Sequence, residues 1–274
     1  MNILYFNSPS EVIKDAAMHL YLQGEEYRSD KWQGKKTEKM HTMLSVAHYS
    51  FAVELGAWVG GDNHLLLNET GAQVPWAEDH FQERVMGYPI NPGQQYKNWK
   101  FYKHNPENDK YRTEGNRFTH TYMERFWPKH AGFQTDDYWL NEHNSYNIIS
   151  DSNRGIRYNY GDLQDVANLI NNEPRTRQAY LPIWFPEDTG VNHGGRVPCT
   201  LGYHFQQVDE GYLNITYYIR ACDYFRHFRD DIYLAVRLLE WVCDRVNLKP
   251  GQLIMHIADL HCFAHEKNML KKHY

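Results

Sequence analysis

The sequence predicts a single α+β domain in which a mixed β-sheet packs against helices. The chain has 274 residues, of which 42% are hydrophobic, and this is sufficient for one substantial core. Segments in which every second residue is apolar share the chain with segments whose apolar residues recur at helical spacing. Neither an internal repeat nor a linker divides the sequence, so we expect one domain over residues 1–274.

Two helices are predicted in the N-terminal half of the chain. Ser8-Pro9-Ser10-Glu11 is typical of a helix start, and apolar residues recur at helical spacing after it. Residues 25–38 are polar and basic and are expected to form a loop. A second helical pattern covers about residues 43–58. Residues 86–160 have no clean period and are rich in Asn, His, Tyr and Trp, which predicts an insertion of loops and short elements.

The C-terminal part is predicted to alternate between strands and helices. Amphipathic helices are expected from Asp162 and from Asp231 onward. Alternating apolar residues or short apolar runs predict strands at 179–184, 201–208, 213–219 and 253–257, with a turn at 249–251.

Composition excludes several classes of protein. The formal net charge of −5 argues against a protein that holds a long nucleic acid, which usually has a basic surplus. The N-terminus has no signal-peptide pattern, and no apolar run approaches the length of a membrane span. The four cysteines form no CxxC pair, so reduced thiols in a cytoplasmic protein are expected.

Cys199 follows a proline just before a predicted strand. A lone cysteine is most often a small hydrophobic core residue. A catalytic role would require a thiolate, and hence positive charge nearby, for which Arg177 and Arg220 are candidates.

Asp231 and the C-terminal histidines also have structural explanations. An aspartate that opens a helix is usually an N-cap, and this is the simplest interpretation of Asp231. His261 and His265 stand four residues apart, but the sequence contains no HExxH pattern, so no metal site is predicted.

The order and spacing of several segments resemble the thymidylate synthase superfamily. The resemblance is carried by Pro174-Arg175-Thr176-Arg177, Pro198-Cys199-Thr200, Arg220-Ala221-Cys222-Asp223, Phe228-Arg229-Asp230-Asp231 and Asp259-Leu260-His261-Cys262-Phe263. Upstream, Glu54-Leu55 before Trp58 resembles the glutamate-containing helix of the superfamily, and Asp30-Lys31 resembles its phosphate loop. The resemblance implies a thymidylate synthase-like fold.

The resemblance also implies a mechanism and a cofactor. Cys199 would add covalently to C6 of a pyrimidine nucleoside monophosphate, so that C5 can attack the one-carbon unit of 5,10-methylenetetrahydrofolate. Arg220 would hold the nucleotide phosphate and support the thiolate, with Lys31 also at the phosphate. Arg177 would bind the phosphate of the partner subunit's nucleotide, which implies a homodimer. Glu54 would order water and relay protons.

Further residues are placed around the nucleotide by the same resemblance. Asp223 would lie near the base and His261 near the sugar. Tyr122 would belong to the active-site wall, although Tyr160 competes for that role. No nucleic acid polymer and no membrane is implied as a partner.

Asp231 is the position that indicates the base. The uridylate enzymes of the superfamily resemble one another in having asparagine there, which suits the O4 acceptor and N3–H donor of uracil. An aspartate instead accepts from the 4-amino group of cytosine and shares a proton with N3. The context of Asp231 resembles that of deoxycytidylate hydroxymethylases.

Hydroxymethylation of deoxycytidylate is therefore the favoured function, and several alternatives stay open. Ala221 and Phe263 replace a serine and a tyrosine of the superfamily and Gln178 replaces an arginine, which favours a CMP hydroxymethylase as the next choice. Methylation of dCMP or dUMP and a non-catalytic nucleotide-binding or RNA-binding relative are further alternatives.

Overall fold

The computed structural model describes residues 3–32, 35–56, 63–103, 112–113, 117–128, 161–191, 196–209 and 211–274. For some residues near the ends of these ranges, including 30–32 and 35–40, it describes the backbone alone. Elements are numbered in chain order within the described part.

A mixed β-sheet forms the centre of the molecule. Its strands are β1 (Leu4–Phe6), β2 (Glu25–Trp32), β3 (Lys35–Glu54), β6 (Tyr180–Pro182), β7 (Thr200–Asp209), β8 (Tyr212–Ile219), β9 (Cys222–Asp223) and β10 (Lys249–Phe263). The order across the sheet is β1-β3-β10-β8-β7-β6, with β2 on β3 and β9 on β10. The central strand β10 is antiparallel to β3 and parallel to β8. Two short strands, β4 (Arg112–Thr113) and β5 (Arg117–Phe118), form a separate antiparallel pair.

Helices pack against this sheet. They are α1 (Pro9–Gln23), α2 (Asn63–Thr70), α3 (Trp76–Val85), α4 (Lys100–Lys103), α5 (Tyr122–Phe126), α6 (Leu163–Asn172), α7 (Arg229–Val246) and α8 (Lys267–Leu270). A π-helical turn, Tyr224–Phe228, leads into α7. Among the described helices, none is long and apolar enough to cross a membrane.

The predicted helix starts are confirmed by their caps. Ser8 Oγ accepts from the backbone N–H of Glu11, and Val12, Ala16 and Leu20 on one face of α1 are fully buried. Asp162 caps α6 in the same way through a reciprocal bond with Asp165. Local side-chain chemistry therefore fixes where these helices begin.

Two N-terminal predictions are wrong. Within 25–38, residues 25–32 and 35–38 form strands rather than a loop, and residues 43–54 form a strand rather than a helix, while residues 33–34 and 57–58 lie outside the described residues. These strands are β2 and the long strand β3, whose residues 43–54 pair with β10 on one side. Phe51 to Val53 are buried in succession and also pair with β1, so this part of β3 is covered on both faces. A strand buried on both faces has a continuous apolar run, which periodicity does not distinguish from a buried helix.

The C-terminal predictions are largely confirmed. The expected strands at 201–208 and 213–219 are β7 and β8, and a short strand, β6, lies within 179–184. The expected helix around Asp231 is α7, which begins at Arg229. The turn expected at 249–251 is instead the start of β10, where the pairing with β8 shifts register after Pro250.

Candidate active site

A cavity lies where the start of β7, the π-helical turn and the first turn of α7 face α3 and α5. Its wall includes Trp76, Trp99, Tyr122, Cys199, His227 and Asp231. Three side chains selected from the sequence, Cys199, Asp231 and Tyr122, therefore meet in one place.

Cys199 immediately precedes β7 and is half-buried. Its carbonyl accepts from the backbone N–H of Arg220 at 2.9 Å, which ties it to the end of β8. The Arg220 guanidinium donates to the carbonyl of Pro198 at 2.9 Å, and its Nη2 lies 3.9 Å from the Cys199 sulfur. Burial raises the pKa of the thiol, whereas Arg220 and Arg196 act to lower it. The cation beside the sulfur is placed to stabilise a thiolate once it forms.

Asp231 lies in the first turn of α7, at the cavity wall. Its carboxylate accepts from the Tyr217 hydroxyl and the Cys222 thiol, each at 3.4 Å. Burial raises the pKa of Asp231 to about 7, although Arg84 acts to lower it. The acid form of Asp231 is therefore well populated at neutral pH, which is unusual for an aspartate.

Asp231 does not cap the helix. The capping role belongs to Asp223, whose carboxylate accepts from the backbone N–H groups of Phe225 and Arg226, both at 3.1 Å, at the start of the π-helical turn. The structural interpretation of Asp231 as an N-cap is therefore wrong.

Hydroxyl groups connect Asp231 to Tyr122. The Thr200 hydroxyl lies 2.8 Å from the Tyr217 hydroxyl, and it donates to the Tyr122 hydroxyl at 3.1 Å. Tyr217 in turn donates to Asp231. Because Tyr122 lines the same cavity as Cys199, one end of this network lies at the wall that contains the thiol.

The wall of the cavity on α3 was not recognised from the sequence. His80 is stacked on Trp76 with ring centres 5.2 Å apart, and Arg84 donates to His80 Nε2 through both Nε (3.1 Å) and Nη2 (2.7 Å). The Arg84 guanidinium also lies 4.1 Å from the centre of the Tyr122 ring. The spacing of four residues between Trp76, His80 and Arg84 was the available signal, because such residues share one helix face.

The aromatic wall continues across the cavity. Trp99 lies 5.8 Å from Trp76 and is stacked on His227 with ring centres 5.1 Å apart. Burial lowers the pKa of His227 to about 3, assisted by Arg196 and Arg226, so this imidazole is neutral. Within the described residues, the buried Trp99 Nε1 has no hydrogen-bond acceptor.

Asp223 and His261 lie beside the cavity but do not line it. They are directly opposite one another on β9 and β10. Asp223 pairs with Arg226 at 3.1 Å, and Arg226 also pairs with Glu266 at 2.7 Å. Burial would lower the pKa of His261, but Asp259, with a carboxylate oxygen 3.3 Å from Nδ1, raises it above its ordinary value.

The remaining residues named from the sequence lie elsewhere. Glu54 is exposed at the end of β3, where it accepts from the Gln252 amide. Arg177 is exposed before β6, and its carbonyl lies 3.2 Å from His204 Nε2. Neither side chain lines the cavity. The side chain of Lys31 and the whole of Tyr160 lie outside the described residues.

Comparison with known proteins identifies the class to which this fold and cavity belong. The thymidylate synthase family profile matches residues 37–274. The chain therefore belongs to the thymidylate synthase family. The fold is similar to that of the thermostable thymidylate synthase A from Bacillus subtilis, with a TM-score of 0.64 over 97% of this chain and 84% of that chain at 13% sequence identity.

Sequence relatives agree with this assignment. The chain is 26% identical over 144 residues to a Methanosarcina barkeri protein described as "Putative thymidylate synthase", which covers 48% of this chain and 64% of the relative. It is 27% identical over 110 residues to the thymidylate synthase of Buchnera aphidicola, which covers 40% of each chain. The chain thus spans less than two thirds of the length of these relatives.

Proposed function

We propose that the protein is a one-carbon transferase that hydroxymethylates C5 of a cytidine 5′-monophosphate, with dCMP as the favoured substrate. The observation that carries this proposal is the position of Asp231, a half-buried acid with a pKa of about 7, on the wall of the cavity that contains Cys199. A pyrimidine between these two side chains would meet a nucleophile and a proton donor.

The acid form of Asp231 suits cytosine. One carboxyl oxygen can accept from the 4-amino group, and the other can share its proton with the basic lone pair at N3. Uracil presents a weakly basic carbonyl at C4 and an N3 that already carries a proton, so it cannot take up the proton of the acid. Because the acid form of Asp231 is well populated at neutral pH, a cytosine can bind to it without a further change in its pKa.

The same proton serves the addition step. When the thiolate of Cys199 forms a bond to C6, the displaced π electrons move through C5 and C4 to N3. Transfer of the Asp231 proton to N3 then neutralises the charge and leaves C5 as a nucleophilic enamine carbon. Arg220, 3.9 Å from the sulfur, stabilises the thiolate before attack.

The aromatic wall fits a reduced folate. Trp76 and Trp99 offer flat apolar faces. Trp99 Nε1 and His80 Nδ1 are buried polar atoms with no hydrogen-bond partner in the described part of the chain, and they suit the carbonyl and ring nitrogens of a pteridine. When bound, 5,10-methylenetetrahydrofolate supplies a one-carbon unit at the oxidation level of formaldehyde. Trp76, Trp99 and the buried Tyr96 are the residues that would hold it.

Ala221 keeps the ribonucleotide CMP as a close alternative substrate. It lines the cavity and lacks the hydroxyl of the serine that the superfamily places there, which leaves room for a 2′-hydroxyl.

A second candidate function is C5 methylation of dUMP. The names of the relatives favour it, since the Buchnera protein is a thymidylate synthase. This function would require Asp231 to face uracil, whose carbonyl at C4 would lie against a carboxylate whenever Asp231 is ionised.

A homodimer belongs to the same proposal. Arg177 is exposed and does not line the cavity of its own chain, so a role in phosphate binding requires a second cavity. The outer face of the sheet carries Tyr180, Tyr218 and His256, of which Tyr218 and His256 are stacked at 5.3 Å. If two subunits pack through these faces, the Arg177 side chain of each subunit would lie at the cavity of the other.

Complementation between subunits tests the shared site. A mixture of the Cys199→Ser and Arg177→Ala proteins should regain activity, because mixed dimers contain one intact site. A mixture as inactive as its components, from proteins shown by sedimentation to exchange subunits, would contradict this arrangement.

Tritium release tests the proposed activity. The protein is incubated with 5,10-methylenetetrahydrofolate and with CMP, dCMP, UMP or dUMP labelled with tritium at C5. We expect release from the cytidylates and a product that is heavier by CH2O rather than CH2. Release from dUMP alone, with a product heavier by CH2, would establish the second candidate instead.

A further inference from the structure

We propose that Arg84 is a positioning residue for this chemistry, because its buried guanidinium sets how readily Asp231 gives its proton to N3 of the bound base. Arg84 thereby sets the upper pH limit of activity. The inference rests on the proposed function, since it assigns Asp231 the role of acid.

The charge of Arg84 is buried without a carboxylate partner among the described residues. The side chain is 4% exposed. Its hydrogen-bond acceptors are His80 Nε2 and, at 3.5 Å, the Tyr203 hydroxyl, and its flat face covers the Tyr122 ring. A buried cation normally costs stability unless an acid pairs with it, so its retention at the cavity wall suggests a functional use.

His80 cannot share the charge. Both contacts from Arg84 reach Nε2, and arginine N–H groups only donate, so Nε2 must be the acceptor and the proton must be on Nδ1. Burial lowers the pKa of His80 well below its ordinary value, with Arg84 and His227 acting in the same direction. The imidazole is therefore neutral, and the full positive charge stays on Arg84.

This charge faces the Asp231 side of the cavity. Arg84 bonds to Tyr203, whose ring is stacked on Tyr217 with centres 4.6 Å apart, and Tyr217 donates to Asp231. Both Arg84 and Asp231 line the cavity, and they form no direct ion pair. Arg84 thus acts on Asp231 through space, without the close contact that would remove its proton completely.

The other groups that act directly on Asp231 carry no positive charge. The titratable side chains that face it are Tyr217 from β8, Tyr203 from β7, Cys222 from β9, Tyr122 from α5, and Asp230 from its own helix. Four are neutral phenols or a thiol, the fifth is another acid, and the Cys199 thiol completes the set. Among the described cations, Arg84 acts most strongly on Asp231. Arg196 also lines the cavity, where it acts on the Cys199 thiol and on His227.

The expected effect has a definite sign. Burial raises the pKa of Asp231 to about 7, and Arg84 opposes part of that rise. Removing the cation therefore raises the pKa further, so the acid form persists to higher pH. At lower pH the same change makes Asp231 a weaker acid and slows proton transfer to N3.

The experiment compares pH profiles of kcat/KM for dCMP and CMP. The upper limb is the fall of kcat/KM at high pH. In Arg84→Gln we expect this fall to occur at a pH that is higher by about one unit or more, and we expect the maximum kcat/KM to be several-fold lower. Arg84→Lys keeps the charge and should restore the limb toward its original position. Arg125→Gln is the matched control. Arg125 is also buried over an aromatic ring, but it forms an ion pair with Asp188 and does not line the cavity.

Asp231→Asn separates this inference from the proposed function. If Asp231 is the acid, its upper limb disappears in that variant. A limb that disappears in Asp231→Asn but does not move in Arg84→Gln overturns the role of Arg84 alone. A limb that persists in Asp231→Asn overturns the acid role itself. If Arg84→Gln fails to fold, Arg84→Met offers a second neutral side chain of similar length for the same measurement.

Discussion

Two aspartates near the start of α7, the buried Asp223 and the half-buried Asp231, have different partners. Asp223 accepts from two backbone N–H groups and pairs with Arg226, which is itself bound to Glu266. Asp231, eight residues later, has a phenol and a thiol as its described partners. Arg226 and the backbone N–H groups balance the charge of Asp223, although burial still raises its pKa. Asp231 retains a proton that burial makes available near neutral pH, which is typical of acids used in catalysis.

The largest expected effect is the loss of turnover when Cys199, the nucleophile in the same cavity as Asp231, is replaced. Cys199→Ser should reduce turnover by at least about a thousandfold, because a serine hydroxyl is a far weaker nucleophile than a thiolate. Nucleotide binding should change little, since the side chains are nearly equal in size. Single-turnover kinetics and equilibrium dialysis with dCMP measure the two quantities. Activity close to that of the wild type would remove Cys199 from the mechanism.

Substitution of Asp223 should lower the stability of the protein. Asp223→Ala removes both the cap and the partner of Arg226, and we expect a loss of about 2–4 kcal/mol in the free energy of unfolding. Asp223→Asn keeps the cap and should lose less, which separates the two contributions. Urea denaturation measures both variants. If either variant changed the preference for cytosine over uracil, the contrast between the two acids would fail.

Asp231 should carry a pH-dependent stability cost. Its pKa is raised in the folded state, so the folded protein binds more protons than the unfolded chain between about pH 4 and pH 7, and stability falls as pH rises through that window. Asp231→Asn should therefore be as stable as the wild type near pH 4 and about 1–3 kcal/mol more stable above pH 7. Thermal denaturation across this range tests the sign. If the difference in stability between the two proteins does not change with pH, folding does not raise the pKa of Asp231.

Glu54 should produce the smallest effect. It is exposed at the end of β3 and does not line the cavity, so Glu54→Gln should change kcat/KM by less than about threefold. A loss of a hundredfold or more would restore the catalytic role that the family resemblance implies and would require this end of β3 to approach the nucleotide.

The two halves of the chain differed in how well the sequence predicted them. The strands and helices after Asp162 have clear alternation, clear caps and motif residues in fixed order, and they were predicted closely. The segment 43–54 was not, because Phe51 to Val53 are covered on both faces by their position in the sheet. Burial on both faces depends on the tertiary structure, so the local hydrophobic periodicity does not predict it.

The candidate site was predicted in part for a related reason. Cys199 and Asp231 were predicted from segments that resemble family motifs, and Tyr122 was one of two candidates for the cavity wall. These three side chains meet in the cavity, and Arg220 Nη2 lies 3.9 Å from the sulfur. Arg84 and His80 were not predicted as site residues, because the sequence does not show which face of α3 lines the cavity. Their spacing was visible, but that spacing equally describes an ordinary buried helix face.

The most direct test of the central claim is the base preference of the wild type and Asp231→Asn. The measurement is kcat/KM for CMP, dCMP, UMP and dUMP on both proteins. If the acid form of Asp231 reads cytosine, the wild type prefers the cytidylates, and Asp231→Asn shifts the cytosine-to-uracil ratio toward uracil by about 10- to 100-fold. An unchanged ratio, in a variant that folds normally, would contradict the account and return the uridylate function to first place.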